Sequence, residues 1–336
     1  MTHMDASGAP LTSGVALITY NGMKYLPQQL SSILAQTRAV EHIVVSDDRS
    51  SDGTWEYLEG WARDAPVRVT LVRNETQLGL SANFEQAISL VEADVVFSSD
   101  QDDVWLPDKV ALLTAVFEED ERVQLAHTDA ILVDTNGHNL GMTLLGELGV
   151  SGAERRAILA GDAFRVYCRR NVVTGATAAF RRTLLPVALP LPTTFVHDAW
   201  LALMATSTGR VVMIDTPTIH YRQHGANLIG VKRLNSVAKL RRLWWEIKGP
   251  RPLKATTDNL LASIATLHAR LSTQPSVASS HVEMASEILQ FATYRTNLPA
   301  NPVARCAAVI SAALAGHYHR FSHQPWSDAL RDMLNK

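Results

Sequence analysis

The chain has 336 residues, 46% of them hydrophobic and 19% charged, which is the make-up of an ordinary globular protein with room for one large domain plus an appendage. Its 33 acidic and 31 basic side chains nearly cancel, so no global field argues for a nucleic-acid partner. Cys168 and Cys306 stand in no metal-like spacing and read as inert thiols, and the longest apolar run, 307–315, is about half of the roughly 18–20 residues that span a bilayer.

In chain order, residues 1–12 read as a disordered tail without a signal-peptide pattern. A β run follows at 15–19, and Pro27 opens a helix carrying Leu30, Ile33 and Leu34 on one face. Residues 42–46 are the second strand. Ser51 or Asp52 is placed to cap a helix with Trp55, Leu58 and Trp61. Strand 67–72 precedes a helix with Phe84, Ala87, Ile88 and Val91 inward, and strand 95–98 precedes one after Pro107 with Val110, Leu112, Leu113 and Val116. Four βα units in succession predict a mostly parallel, doubly wound α/β sheet.

The pattern then changes. Strands are expected at 123–126 and 131–133, followed by a hairpin turn at Asn136-Gly137. Residues 143–170 show no clear period. Further strands are expected at 173–180 and 211–214, with a helix at 198–205 between them. From about residue 231 the chain reads as successive helices broken at 249–252, 273–275 and 298–302. This divides the chain into an α/β domain at 13–230 and a helical C-terminal region at 231–336.

Two of the strands end in acidic loops, Ser46-Asp47-Asp48-Arg49-Ser50-Ser51-Asp52-Gly53-Thr54 and Ser99-Asp100-Gln101-Asp102-Asp103-Val104-Trp105. Ligands of open α/β sheets bind at the carboxyl ends of strands, and so much negative charge at one edge calls for a cation and polar donors. A divalent metal and a nucleotide meet that need. Alternate residues of an extended segment would turn Asp100 and Asp102 to one side.

Taken with Ile18-Thr19-Tyr20-Asn21-Gly22, Gly79 to Asn83, His197-Asp198-Ala199-Trp200 and Tyr221-Arg222-Gln223-His224-Gly225-Ala226-Asn227, these loops resemble family-2 glycosyltransferases of the GT-A fold, most of all bacterial rhamnosyltransferases. The resemblance covers about 14–230, with Arg49 departing from the glycine of many relatives. It implies an inverting transferase that moves a sugar, L-rhamnose from dTDP-rhamnose, to a glycan or lipid-linked glycan acceptor with Mg²⁺ or Mn²⁺. It assigns Thr19, Tyr20, Asn21, Asp48, Gly79, Asn83 and Asp100 to the nucleotide, and Asp102 and His224 to the metal. Arg222 falls to the diphosphate, Trp105, Gly175 and Trp200 to the acceptor pocket, and Asp198 to the catalytic base. Transfer of another nucleotide sugar, nucleotidyl transfer and a non-catalytic glycan-binding module remain alternatives, and the phosphate loop that nucleotidyl transfer wants is missing after the first strand. His317, His319 and His323 read as ordinary surface or packing residues. The segment 232–254 carries eight basic residues and one acid, interleaved with Trp244 and Trp245. Such a segment suits anionic lipid, which would place the protein in the cytoplasm, peripherally on the inner face of the cell membrane, and it suits equally a helix packed on the catalytic domain with a solvated basic face.

Overall fold

A computed structural model describes residues 10–223 and 253–334, with side chains from 259 onward in the second stretch. His224 and nearly all of the basic segment 232–254 lie outside the described residues, as does most of the expected tail.

The βα alternation takes the order β1 (Ser13–Thr19), α1 (Leu26–Leu34), β2 (His42–Asp47), α2 (Thr54–Asp64), β3 (Arg68–Arg73), α3 (Leu80–Leu90) and β4 (Val95–Ser99). β1, β2 and β4 are buried along their whole length, as parallel strands covered on both faces must be, whereas β3 at the sheet edge is only half-buried. These four pair in parallel in the order β3-β2-β1-β4, in a register that sets Thr19 beside Asp47 and Leu17 beside Ser99. Their carboxyl ends therefore meet at one edge. The chain winds one way from β1 to β3 and returns to β1's other side as β4, so β1 is the switch point where a crevice opens.

α2 departs from expectation at its start. Its N-cap is Gly53, at φ 91°, and no side chain caps it. Asp52 instead closes a local turn, accepting from the Thr54 N–H at 3.1 Å and the Thr54 hydroxyl at 2.5 Å through Oδ1, and from the Met23 N–H at 3.1 Å through Oδ2. Leu58 is fully buried in this helix, while Trp55 and Trp61 are half-buried.

After β5 (Val104–Trp105) and α4 (Lys109–Glu119), the two strands expected at 123–126 and 131–133 form one strand of 11 residues, β6 (Val123–Val133). It turns at Gly137, φ 88°, into antiparallel β7 (Asn139–Thr143). The aperiodic stretch that follows is three short helices, α5 (Leu144–Glu147), α6 (Gly152–Leu159) and α7 (Ala163–Arg169), too brief to show a period. The strand expected over 173–180 is a 3-10 turn at Gly175–Thr177 followed by β8 (Ala178–Arg181), which pairs antiparallel with β4 and β6. α8 (Leu185–Ala188), α9 (His197–Thr208) and β9 (Arg210–Arg222) complete a nine-stranded mixed sheet among the described residues. β9 runs parallel to β6, and its far end pairs with β5.

By internal contacts the chain falls into a unit of Met1–Tyr167 with Asn171–Val231 and a unit of Cys168–Arg170 with Lys232–Lys336. The second holds helices Leu253–Ser272, Ser279–Thr296, Pro302–Leu314, His317–Phe321 and Pro325–Leu334, around a core of Phe291, Val309, Ala312, Tyr318 and Ala329. Inside that unit Arg295 grips the buried Asp332 with two bonds, Nε to Oδ2 at 2.6 Å and Nη2 to Oδ1 at 3.0 Å, and the Tyr318 hydroxyl donates to Asp332 at 2.7 Å. No helix among the described residues is long and apolar enough to cross a membrane.

Candidate functional site

The end of β1 and the loop after β2 form one wall. Asp47, fully buried, accepts from the Thr19 hydroxyl at 2.8 Å and from the Ser50 hydroxyl at 2.5 Å and N–H at 2.9 Å. This hub bends the loop, and Arg49 pays for the bend with φ 66°, the left-handed conformation that glycine adopts without strain. The Asp48 carboxylate accepts from the Leu78 N–H at 2.7 Å, Asn74 Nδ2 at 2.9 Å and the Gly79 N–H at 2.9 Å, so it draws the 74–79 loop over the end of β2. Asn21, also left-handed at φ 48°, accepts the Ser51 N–H at 2.9 Å. Tyr20 leaves nearly half of its side chain, 48%, exposed. Asn83 is a correction: expected at the nucleotide, it lies buried beneath the loop, joining Ser46 (2.7 Å) to Asn74 (2.9 Å) through Oδ1.

The acidic loop after β4 forms the second wall. It is a turn at Gln101–Asp102 rather than the extended segment expected. Gln101 clamps it to β1, accepting the Tyr20 N–H at 2.8 Å and donating to the Tyr20 carbonyl at 2.9 Å. Its side chain crosses so close to Gly22 that a Cβ there would overlap it. Arg222, expected on a diphosphate, is instead buried and committed to partners within the protein. Its Nε donates to the Asp102 carbonyl at 2.8 Å, Nη1 to the Thr135 carbonyl at 3.1 Å and Nη2 to Gln28 Oε1 at 2.9 Å, with the guanidinium 4.7 Å from the Tyr25 ring centre. A second correction concerns Trp105 and Trp200. Trp105 packs on Phe97 in the core, and Trp200, fully buried, donates from Nε1 to the Ala188 carbonyl at 2.7 Å, so neither lines an acceptor pocket.

Asp198, in the first turn of α9, forms the third wall. Oδ1 accepts from Asn171 Nδ2 at 3.0 Å and the Ala199 N–H at 2.6 Å, and Oδ2 accepts from the Gly175 N–H at 3.1 Å. Gly175, expected against the acceptor, is thus the residue that hands a backbone donor to Asp198. His197 stacks on Phe84 of α3, with ring centres 4.1 Å apart, and anchors the start of α9.

The second and third walls share one electrostatic field. Burial first, then Asp102 and Asp198, push the half-buried Asp100 carboxyl up to about 7, against the pull of Lys109. Asp103 is pushed well above the carboxylate range by burial, then by Asp102 and Asp100. Its Oδ1 accepts the Arg222 N–H at 3.0 Å, while its buried Oδ2 has no hydrogen-bond partner among the described residues. The Tyr221 hydroxyl on β9 is raised by burial and then by Asp103, Asp100, Asp102 and Asp198 together. Asp48 stands apart, at the end of β2 across β1. No group of three or more His, Cys, Asp or Glu among the described residues is arranged to hold a metal by itself.

Three site residues escaped the sequence reading. Gln101 and Asn171 left no signal, because their roles depend on which loops the fold brings together. Lys109 did leave one: a cation in the first turn of a helix opposes the helix dipole, and needs a tertiary reason to be there.

A family model described as glycosyl transferase family 2 matches residues 15–185. An uncharacterized glycosyltransferase of Nostoc sp. is 24% identical over 216 residues, 63% of this chain and 65% of that one. The dTDP-rhamnosyl transferase RfbG of Shigella flexneri is 33% identical over 98 residues, 28% of this chain and 34% of its own, and the abequosyltransferase RfbV of Salmonella typhimurium is 31% identical over 110 residues, 32% and 33%. The chain thus spans about a third to two thirds of the length of these relatives. Among solved structures, S. aureus TarS 1-349 with UDP superposes with a TM-score of 0.56 at 15% identity, covering 96% of this chain and 89% of that one. The mannosyltransferase PcManGT of Pyrobaculum calidifontis, with GDP-Man and Mn2+, superposes with a TM-score of 0.50 at 19% identity, covering 96% and 85%. At these identities the likeness establishes the fold, which is of the GT-A type.

Proposed function

Because the chain belongs to glycosyl transferase family 2, we propose that it is an inverting, metal-dependent enzyme that moves L-rhamnose from dTDP-rhamnose to a hydroxyl of a bacterial surface glycan. The observation that carries the reading is the shared field of Asp100, Asp102 and Asp198 at the carboxyl edge of a parallel sheet. Donor identity draws on the match to RfbG, whose name specifies dTDP-rhamnose chemistry.

The nucleoside lies across the ends of β1 and β2, with the exposed Tyr20 ring as its platform and Thr19, Asn21, Asp48 and Gly79 shaping the floor. Asp102 and Asp100 face the diphosphate. Two crowded carboxylates, one of them pushed up to about 7 by burial and then by its neighbours, suit Mg²⁺ or Mn²⁺, hard ions that take one or two protein carboxylates and complete their shell with phosphate and water oxygens. His224 would join them from outside the described residues. When bound, the ion acts as a Lewis acid on the charge of the leaving diphosphate. Asp198, oriented by its three N–H donors, takes the acceptor's proton. As the acceptor oxygen bonds to the anomeric carbon from the opposite face, the carbon–oxygen bond to the diphosphate breaks and the diphosphate keeps the electron pair.

The helical region adds a lipid surface as a partner. Basic residues outnumber acidic ones more than two to one from Lys232 onward. In helix Pro302–Leu314, Val303, Ile310 and Leu314 are exposed on one face, as are Trp326, Leu330 and Leu334 in Pro325–Leu334. Apolar side chains on a basic body suit the headgroup region of an anionic membrane.

Thermal-shift measurements against dTDP-, UDP- and GDP-sugars, with Mn²⁺ and with EDTA, test the donor. A rise with dTDP-rhamnose that EDTA abolishes is expected, and a rise confined to UDP- or GDP-sugars assigns another donor. Asp198→Asn is expected to abolish transfer while leaving nucleotide binding intact, and near-normal turnover removes it as the base. Co-sedimentation with anionic vesicles at low salt is expected, and no binding at any ionic strength ends the lipid assignment.

A further inference from the structure

We propose that Lys109 is a positioning residue for the transfer step, a buried strut that sets the turn presenting a backbone N–H to Asp198 and ties that turn to the acidic loop. The inference rests on the reading of Asp198 as the base.

Lys109 opens α4 and is 0% exposed. Local preference opposes it twice, since lysine is seldom buried and a cation at a helix N-terminus meets the positive end of the dipole. Its contacts supply the compensation. Nζ donates to the Ala176 carbonyl at 2.6 Å and stands 3.8 Å from the centre of the Trp105 ring. Burial presses its ammonium down to about 7, while Asp103 and then Asp100 hold it up.

Ala176 is the middle residue of the Gly175–Thr177 turn, and the N–H of the residue before it bonds Asp198 Oδ2 at 3.1 Å. Trp105 follows the acidic loop directly, its N–H bonded to Ser32 of α1 at 3.0 Å. Lys109 thus spans two walls that are far apart in sequence. The same Nζ rests against the ring that ends the loop facing the diphosphate and holds the turn whose first N–H aims the base. Without Nζ, the Ala176 carbonyl is left buried and unpaired, and the turn is free to rotate the Gly175 N–H away from the carboxylate.

The test is Lys109→Met, which keeps the length of the stem and removes the charge and the donor. Turnover of the donor that shifts the melt in the nucleotide-sugar panel is expected to fall at least tenfold. The Kd for its nucleoside diphosphate with Mn²⁺, by calorimetry, is expected to stay within threefold. In an Asp198→Asn background the same substitution is expected to change the residual rate less than twofold, because the residue it acts through is already disabled. Lys109→Gln, too short to reach Ala176, carries the same expectations if the Met variant does not fold. A kcat within twofold of wild type, a parallel loss of nucleotide affinity, or the full tenfold loss repeated in the Asp198→Asn background overturns the proposal. Failure of the base reading looks different: Asp198→Asn alone then turns over normally.

Discussion

Replacing Gly175 with alanine tests the geometry of the base directly. The new Cβ lies 2.6 Å from His197 Nε2, 3.5 Å from Cε1 and 3.6 Å from Cδ2. Contacts of this kind relax at about 3.5 Å, so roughly 1 Å of movement has to be found. His197 does not provide it, because its buried ring is stacked on Phe84 with 9° between the planes. The turn must give instead, and it carries the Gly175 N–H away from Asp198. Overpacking of this kind costs about 1–3 kcal/mol, and a displacement of about 1 Å in a positioning group costs about 100-fold in rate. Urea denaturation is expected to show a lower midpoint at unchanged slope, and steady-state transfer a kcat reduced about 10- to 100-fold. In the Gly175→Ala, His197→Ala double variant the clash is gone, so the two stability losses should sum to more than the measured one. A Gly175→Ala protein with the wild-type midpoint and kcat refutes the reasoning.

The other expectations follow from single structural facts. Arg49→Gly removes a left-handed conformation worth about 1–2 kcal/mol, less about 0.5–1 kcal/mol of added unfolded-state freedom, so the urea midpoint should rise slightly; a lowered midpoint shows that the arginine side chain matters more than its backbone. His127, fully buried beside the Tyr167 hydroxyl, is held neutral by burial, its pKa pressed down to about 3. The unfolded chain binds a proton there below about 6.5 and the folded chain does not, so stability is lost as pH falls. From pH 7 to pH 5 the wild type should lose about 2 kcal/mol relative to His127→Phe, and parallel stability–pH curves count against this. Arg295→Met leaves the buried Asp332 charge without its ion-pair partner, at a cost of about 3–5 kcal/mol in the helical unit; a circular-dichroism melt that moves by less than about 1 kcal/mol equivalent refutes it.

Local chemistry made much of the architecture legible in the amino-acid sequence. Runs such as Val-Ala-Leu-Ile-Thr and the helix periods between them announced β1, β2 and β4, because a parallel strand buried on both faces is built mainly of apolar residues. The two acidic loops pointed to the carboxyl edge of the sheet as the candidate site, although Asp47, Asp48 and Asp52 of the first loop prove to hold the surrounding backbone in place. The family resemblance, rather than local chemistry, set Arg49 where many relatives carry glycine, and its φ of 66° is the reason glycine suits the place.

Tertiary structure alone decided which polar side chains face the crevice and which serve the scaffold. Asn83, Arg222, Trp105 and Trp200 have the residue types of ligand contacts, yet each is buried by a partner outside its own strand or helix: Asn74, Gln28, Phe97 and Ala188. Conversely Gln101, Asn171 and Lys109 gained roles at the site only because folding set them beside Tyr20, Asp198 and Ala176. Periodicity and composition are properties of neighbours along the chain. The hydrogen bonds of Gln101, Asn171 and Lys109 are set by atoms 27 to 81 residues away, and so they exist only once the sheet has closed around them.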